Sequence, residues 1–249
     1  MKTVRRRDIL YACAFLMLAW ELTALAVRQP FLPAPWVVAQ AFVVELGRGL
    51  VGHFLSSLWR VVASTCLAVL LAAPAGLALG QSQRLDSLFS PLVYILYPIP
   101  KVVFVPILLL FFGLGDLPKI GIIFLILFFQ IMVLVRDQAA AIRPELVLSV
   151  RSLGAGRRAL FRYVYLPASL PAILTALRQS VGTAVAVLYV AETFATQRGL
   201  GYYISLNQST LFNYPAMYAG IIAMSLLGLG LYFAVDWVER RACPWLFIG

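Results

Sequence analysis

The stretch "SVRSLGAGRRALFRYVYLPASLPAIL" occupies residues 149–174. It carries Arg151, Arg157, Arg158 and Arg162, glycines at 154 and 156, and Pro167 and Pro171, with apolar sequence on both sides. Leu146, Val150, Leu153 and Arg157 are spaced for one helical face, and Leu160 and Phe161 continue an apolar side. Gly154 and Gly156 each cost a helix about 1 kcal/mol relative to alanine. The pattern predicts a short helix, a glycine turn, and a second helix leading back into apolar sequence. Such an elbow, apolar on one face and basic at its flanks, is either a docking surface or an amphipathic loop resting on anionic lipid.

The rest of the chain gives the elbow its setting. Of 249 residues, 62% are apolar and 12% charged, and the mean hydropathy is +0.92. A soluble domain carries about 25% charged residues, so the composition points to an integral membrane protein. The net charge of +10 fits the basic bias of one membrane face better than binding to nucleic acid. Cys13, Cys66 and Cys243 have no C-x-x-C or Cys/His ligand spacing, and His53 is the sole histidine. Neither a disulfide framework nor a metal site is expected.

Crossing a bilayer takes about 20 apolar residues. Six stretches qualify, at 9–27, 58–79, 88–112, 120–135, 172–195 and 217–238, within a single transmembrane domain covering 1–249. The first could also be a signal peptide, with arginines at 5–7 before it and Ala24-Leu25-Ala26 at its end. Its length and the intruding Trp20-Glu21 favour a span. Residues 34–57 read as an interfacial helix or the start of the second span. Within that span, Ala68, Ala72, Gly76 and Gly80 form a small-residue stripe that lets another helix approach closely. In the third, "YPIPKVVFVP" (97–106) places three prolines in an apolar run. That marks either a kinked packing helix or a segment lining a pathway.

With the N-terminus inside, Lys2, the arginines at 5–7, Arg84, the arginines of 136–168, Arg240 and Arg241 fall on the inner side. Arg28, Arg48, Arg60, Lys119 and Arg198 fall on the outer side. This asymmetry predicts cytoplasmic termini and a cytoplasmic 136–168 loop.

No catalytic residues are expected. The three lysines, Lys2, Lys101 and Lys119, follow Met, Pro and Pro, so the Gly-Lys pair of a phosphate-binding loop is missing. His-Glu-x-x-His and Gly-x-Ser-x-Gly are missing too. The candidate pathway lies on the fifth span, where Thr175, Arg178, Gln179, Gly182 and Thr183 share one side at helical spacing. Arg178 suits an anionic substrate, or else bonds loop carbonyls. Glu192 is about 21 Å of helical rise beyond Arg178, too far to pair with it. It reads as a pathway residue or as a tie for the loop that holds Gly199 and Gly201.

Residues 151–174 resemble the cytoplasmic loop signature of binding-protein-dependent ABC importer permeases, E-A-A-x-x-x-G followed about nine residues later by I-x-L-P. Gly154 stands for the glycine and Tyr165-Leu166-Pro167 for the end, while Leu148-Ser149-Val150 replaces the acidic start. Residues 97–120, 191–204 and 239–245 are similar to the nitrate/sulfonate/taurine-type subfamily. The resemblance implies an all-α membrane protein with six transmembrane helices of type I importer architecture and a cytoplasmic coupling helix. It implies a non-catalytic subunit of the bacterial inner membrane that forms a homodimer. The partners implied are two cytoplasmic ATP-binding subunits, which hold ATP and Mg, and an extracytoplasmic binding protein. This chain itself would hold no cofactor. Arg151, Ser152, Leu153, Gly154, Ala155, Arg157, Arg158, Leu160, Phe161, Leu166 and Pro167 would form the ATPase-coupling surface. The substrate implied is a small anion such as nitrate, a sulfonate or taurine. A thiamine-precursor pyrimidine is the alternative within the family, and a stand-alone channel or secondary transporter the alternative outside it.

Overall fold

The computed structural model describes residues 6–194 and 196–246. Lys2, Arg5 and Ala195 fall outside the described residues, as do the side chains of Arg6 and Arg157. Helices and short connections account for the described residues, and no strand occurs among them.

Helix α1 (Arg6–Val27) begins with Arg6, Arg7 and Asp8, is otherwise largely apolar apart from Glu21 and Thr23, and is mostly exposed. It meets the remainder at its C-terminal end, where Trp20 Nε1 donates to Pro33 O at 3.1 Å and the Trp20 ring lies 5.7 Å from that of Tyr218. Helix α2 (Pro35–Glu45) and helix α3 (Val51–Gln81) form one 47-residue helical run, Pro35–Gln81. The run is bent at Gly49, whose φ of 117° is open to glycine without strain. The stretch 34–57 is therefore the start of the second long helix, interrupted at one glycine.

Helix α4 (Gln83–Leu96) meets the segment Lys101–Phe112 at 79° across the break at 97–100; that segment is a short 3-10 turn, Lys101–Phe104, continued by helix α5 (Val105–Phe112). Pro98 and Pro100 cannot donate back to the preceding turn, which leaves carbonyls open. Lys101 Nζ donates to three carbonyls at this break, Leu96 O and Tyr97 O at 2.9 Å and Ile99 O at 3.3 Å, of which Leu96 O is the one left by Pro100.

Helix α6 (Leu117–Ala140) packs along α3, and this pair is the centre of the fold. The small-residue stripe is what permits it. Ala68, Ala72 and Gly76 are buried, and a methyl added to Gly76 would lie 2.6 Å from Met132 O. A methyl on Gly80 would strike Arg136 O and sit 2.6 Å from the Ala139 Cβ.

The elbow contains helix α7 (Pro144–Ser152) and helix α8 (Arg157–Leu160). A wide turn, Phe161–Tyr165, carries α8 into helix α9 (Leu166–Thr193), so that Arg158–Thr193 is one 36-residue helix. Helix α10 (Leu200–Ser209) caps the far end of α9, and helix α11 (Tyr214–Ala242) returns beside it. Because α7 stops at Ser152, Leu153 and Arg157 do not extend the face of Leu146 and Val150, as their spacing suggested; a glycine turn separates them. Among the described residues, five helices are long and apolar enough to cross a membrane, and a sixth if the bent α4–α5 pair counts as one crossing.

Candidate functional site

The elbow is built from capping chemistry. Pro144 occupies the first turn of α7, where its missing N–H is no loss. Gly154 adopts a φ of 81°, its N–H bonds Arg151 O at 2.9 Å, and the Ala155 N–H reaches Val150 O at 3.4 Å. These two bonds are the paired closure by which a glycine ends a helix and satisfies its last carbonyls. The turn pushes Leu153 outward, leaving it 85% exposed. Arg151, Arg158 and Phe161 are exposed around it, and Ser152 turns back to bond Ser149 O at 2.8 Å. Leu160 and Val164 are buried and anchor the elbow. Ala155 and Pro167 are half-buried, and Leu166 lies at the exposed edge of the α9 start. The elbow thus offers an exposed leucine with exposed arginines at 151 and 158, and none of the described residues covers Leu153.

The candidate pathway residues do not converge. Arg178 Nη1 lies 2.9 Å from Glu239 Oε2 and 3.1 Å from Asp236 Oδ1, both on α11. Thr175 Oγ1 donates to Glu239 Oε1 at 3.4 Å, and Arg240 Nε bonds Asp236 at 2.9 Å. The partners of Arg178 are carboxylates rather than loop carbonyls, and they neutralise it. Thr175 and Gln179 line a cavity of about 350 Å³ with Gln138. Thr183 lines a different one, about 320 Å³, with Tyr97, Lys101 and Gln130. Gly182 faces a third, apolar cavity of about 620 Å³ against α11.

Glu192 sits at the other end of α9, fully buried. Arg60 Nη1 reaches its Oε1 at 2.7 Å, Ser57 Oγ lies 2.8 Å from Oε2, and the Gly201 N–H donates at 2.9 Å. Arg60 also holds Asp116 at 2.7 Å and the Arg198 carbonyl at 2.7 Å. Ser57 Oγ accepts the Leu200 N–H at 2.8 Å, and the Gly199 N–H is 3.1 Å from His53 Nδ1. Gly199 has a φ of 123°, and a methyl there would overlap the Glu192 carboxylate. Glu192 bonds the glycine loop, one of the two roles its position suggests. Its principal partner, Arg60, is not evident from sequence position alone. A usable signal existed: Ser57, Arg60 and Ser64 lie in register with the Ala68–Ala72–Gly76 stripe, so the polar residues share the buried face.

Residues 65–242 match the family described as "binding-protein-dependent transport system inner membrane component". The chain belongs to this family. Its members are non-catalytic permease subunits of ABC importers, and this permease spans the membrane several times. It is 29% identical to the taurine transport system permease protein of Escherichia coli strain K12, over 91% of this chain and 84% of that one. It is 30% identical to the formylaminopyrimidine transport permease protein of Halalkalibacterium halodurans, over 92% of each. Among solved structures, the methionine ABC transporter MetNI in an inward-facing conformation superposes with a TM-score of 0.69, at 21% identity, over 78% of this permease and 95% of that chain. A bacterial transporter that imports alginate superposes with a TM-score of 0.63, at 18% identity, over 95% and 96%.

Proposed function

We propose that this permease, a single transmembrane domain, works as a homodimer whose two elbows each dock one cytoplasmic ATP-binding subunit. The carrying observation is the capped Gly154 turn, which leaves Leu153 exposed, with Arg151 and Arg158 exposed as well. Leu146, Leu148, Leu153 and Phe161 are all exposed in this short basic segment, and several large apolar side chains exposed together amid polar ones mark an interaction surface. Arg151, Arg157 and Arg158 face the rim of the docked subunit, which binds ATP and Mg, and Leu160, Phe161, Leu166 and Pro167 transmit its movement into α9. The elbow end lies in the cytoplasm with both termini, because Arg136, Arg143, Arg151, Arg158, Arg162, Arg240 and Arg241 gather there. The α10 end faces an extracytoplasmic binding protein across the inner membrane.

The substrate class is a small solute bearing an anionic group, such as a sulfonate, taurine or nitrate, supported by the taurine permease relative. Gln179 and Thr183 border the path, while Arg178 and Glu192 hold its walls. The test is reconstitution of the permease with its ATP-binding subunits and binding protein in proteoliposomes. ATP-driven uptake of a sulfonate is expected. Uptake without ATP would overturn the importer reading; ATP-driven uptake of a formylaminopyrimidine in place of anions would replace the substrate class.

A further inference from the structure

Among the described residues, the arginines whose side chains reach into the packed helices each have a carboxylate beside them. Arg60 has Glu192 and Asp116, Arg136 has Asp86, and Arg178 has Asp236 and Glu239. Lys119 Nζ donates to the Leu114 and Gly115 carbonyls at 3.0 Å, next in sequence to Asp116. Lys101 differs. It is buried, and its ammonium meets only the carbonyls of Leu96, Tyr97 and Ile99 and the faces of two rings, Phe129 at 4.7 Å and Tyr97 at 5.7 Å. Among the described residues, no carboxylate pairs with it.

Carbonyl dipoles stabilise an ammonium without cancelling its charge, so a net positive charge stands inside apolar surroundings, where its field is weakly screened. The charge also has an outlet. Lys101 borders the cavity of about 320 Å³ that Tyr97, Gln130 and Thr183 line as well. Gln130 and Lys101's neighbour Phe129 lie near the middle of α6. An ionisable group at that depth, beside a broken helix and a cavity, is where a pathway site is expected.

We propose that Lys101 and the polar side chains of Gln130 and Thr183 form a transient site for a small anion, such as a sulfonate, on its way through the permease. The Lys101 charge attracts the anion, and the amide and hydroxyl supply hydrogen bonds. The longest Lys101 contact, to Ile99 O, is the one an incoming oxygen displaces. This rests on the small-anion reading of the substrate.

The test measures the field at the cavity directly. Thr183→Cys is introduced into the full chain, with Cys13, Cys66 and Cys243 replaced by serine. Membrane vesicles of its native cells are treated with two methanethiosulfonate reagents of similar size, one bearing a sulfonate and one a trimethylammonium. Relative to the same reagents on a free small thiol, the anionic reagent is expected to be favoured about tenfold. Lys101→Met should remove the preference and Lys101→Arg should keep it. The comparison in the Lys101-intact chain stands even where Lys101→Met does not fold. Equal rates, or no modification by either reagent, overturn the site. A complex that imports only solutes without an anionic group while this preference persists would sink the substrate reading and leave the site standing.

Discussion

The two ends of the long helix α9 are built in opposite ways. At the α10 end, Glu192 is completely enclosed, with an arginine, a serine and a backbone N–H converging on its carboxylate. At the elbow end, Leu153 and most of the arginines stand in solvent, and the turn is satisfied by its own backbone. One end has completed its interactions within the chain; the other has completed only its local geometry. The difference teaches where this permease depends on itself and where it is shaped for something else.

The largest effect is expected at the closed end. Arg60→Met leaves Glu192 buried without its cation, a change that costs about 3–5 kcal/mol. Thermal unfolding of the purified permease should fall steeply, and Arg60→Met combined with Glu192→Leu should recover much of the loss. An unchanged melting temperature for the single variant would show that this end is not closed by the pair.

Gly80→Val comes next, since the added carbons must enter the α3–α6 contact. Overpacking of this kind costs about 1–3 kcal/mol, to be read in the same melting experiment. Arg178→Gln should matter less, about 1 kcal/mol, because the Arg178 side chain is 27% exposed and its pair is partly screened. Uptake measured alongside sharpens the point: lost sulfonate transport with unchanged stability would make Arg178 a substrate contact rather than a clamp to α11.

Gly154→Leu should have only a local effect on stability. A methyl there meets open space, and the remaining cost is the left-handed backbone, about 1–2 kcal/mol at most and confined to the turn. ATP-driven uptake and recovery of the ATP-binding subunits should nevertheless drop about tenfold or more. Gly154→Asn, which tolerates that backbone, should keep most of both. Normal transport by the leucine variant would break the contrast between the two ends.

Much of this architecture is legible in the sequence because its signals are local. Apolar length marks the long helices, the four-residue spacing of Ala68, Ala72, Gly76 and Gly80 marks the closest helix contact, and Gly154 marks the elbow turn. What was not legible is pairing across helices. Arg60 and Glu192 are 132 residues apart, and Arg178 is 58 residues from Asp236. Whether such groups meet depends on how far each helix is rotated and how deep it sits, and no window of sequence contains that. The 79° bend between α4 and α5 was half-visible: the prolines announce a break but not its angle.

The continuity of Arg158–Thr193 has a geometric consequence. Thirty-six residues of unbroken helix make a rod about 54 Å long, against a hydrocarbon core of about 30 Å. A tilt of about 5° around its midpoint shifts each tip by roughly 2 Å in opposite directions, given that length. Near the midpoint the same tilt displaces side chains by only a small fraction of that. At the Glu192 tip, such a shift is comparable with the 2.7 Å separation from Arg60. A rotation too small to disturb the middle of the protein is therefore large enough to trip an ion pair at its edge, which gives the rod an angular threshold.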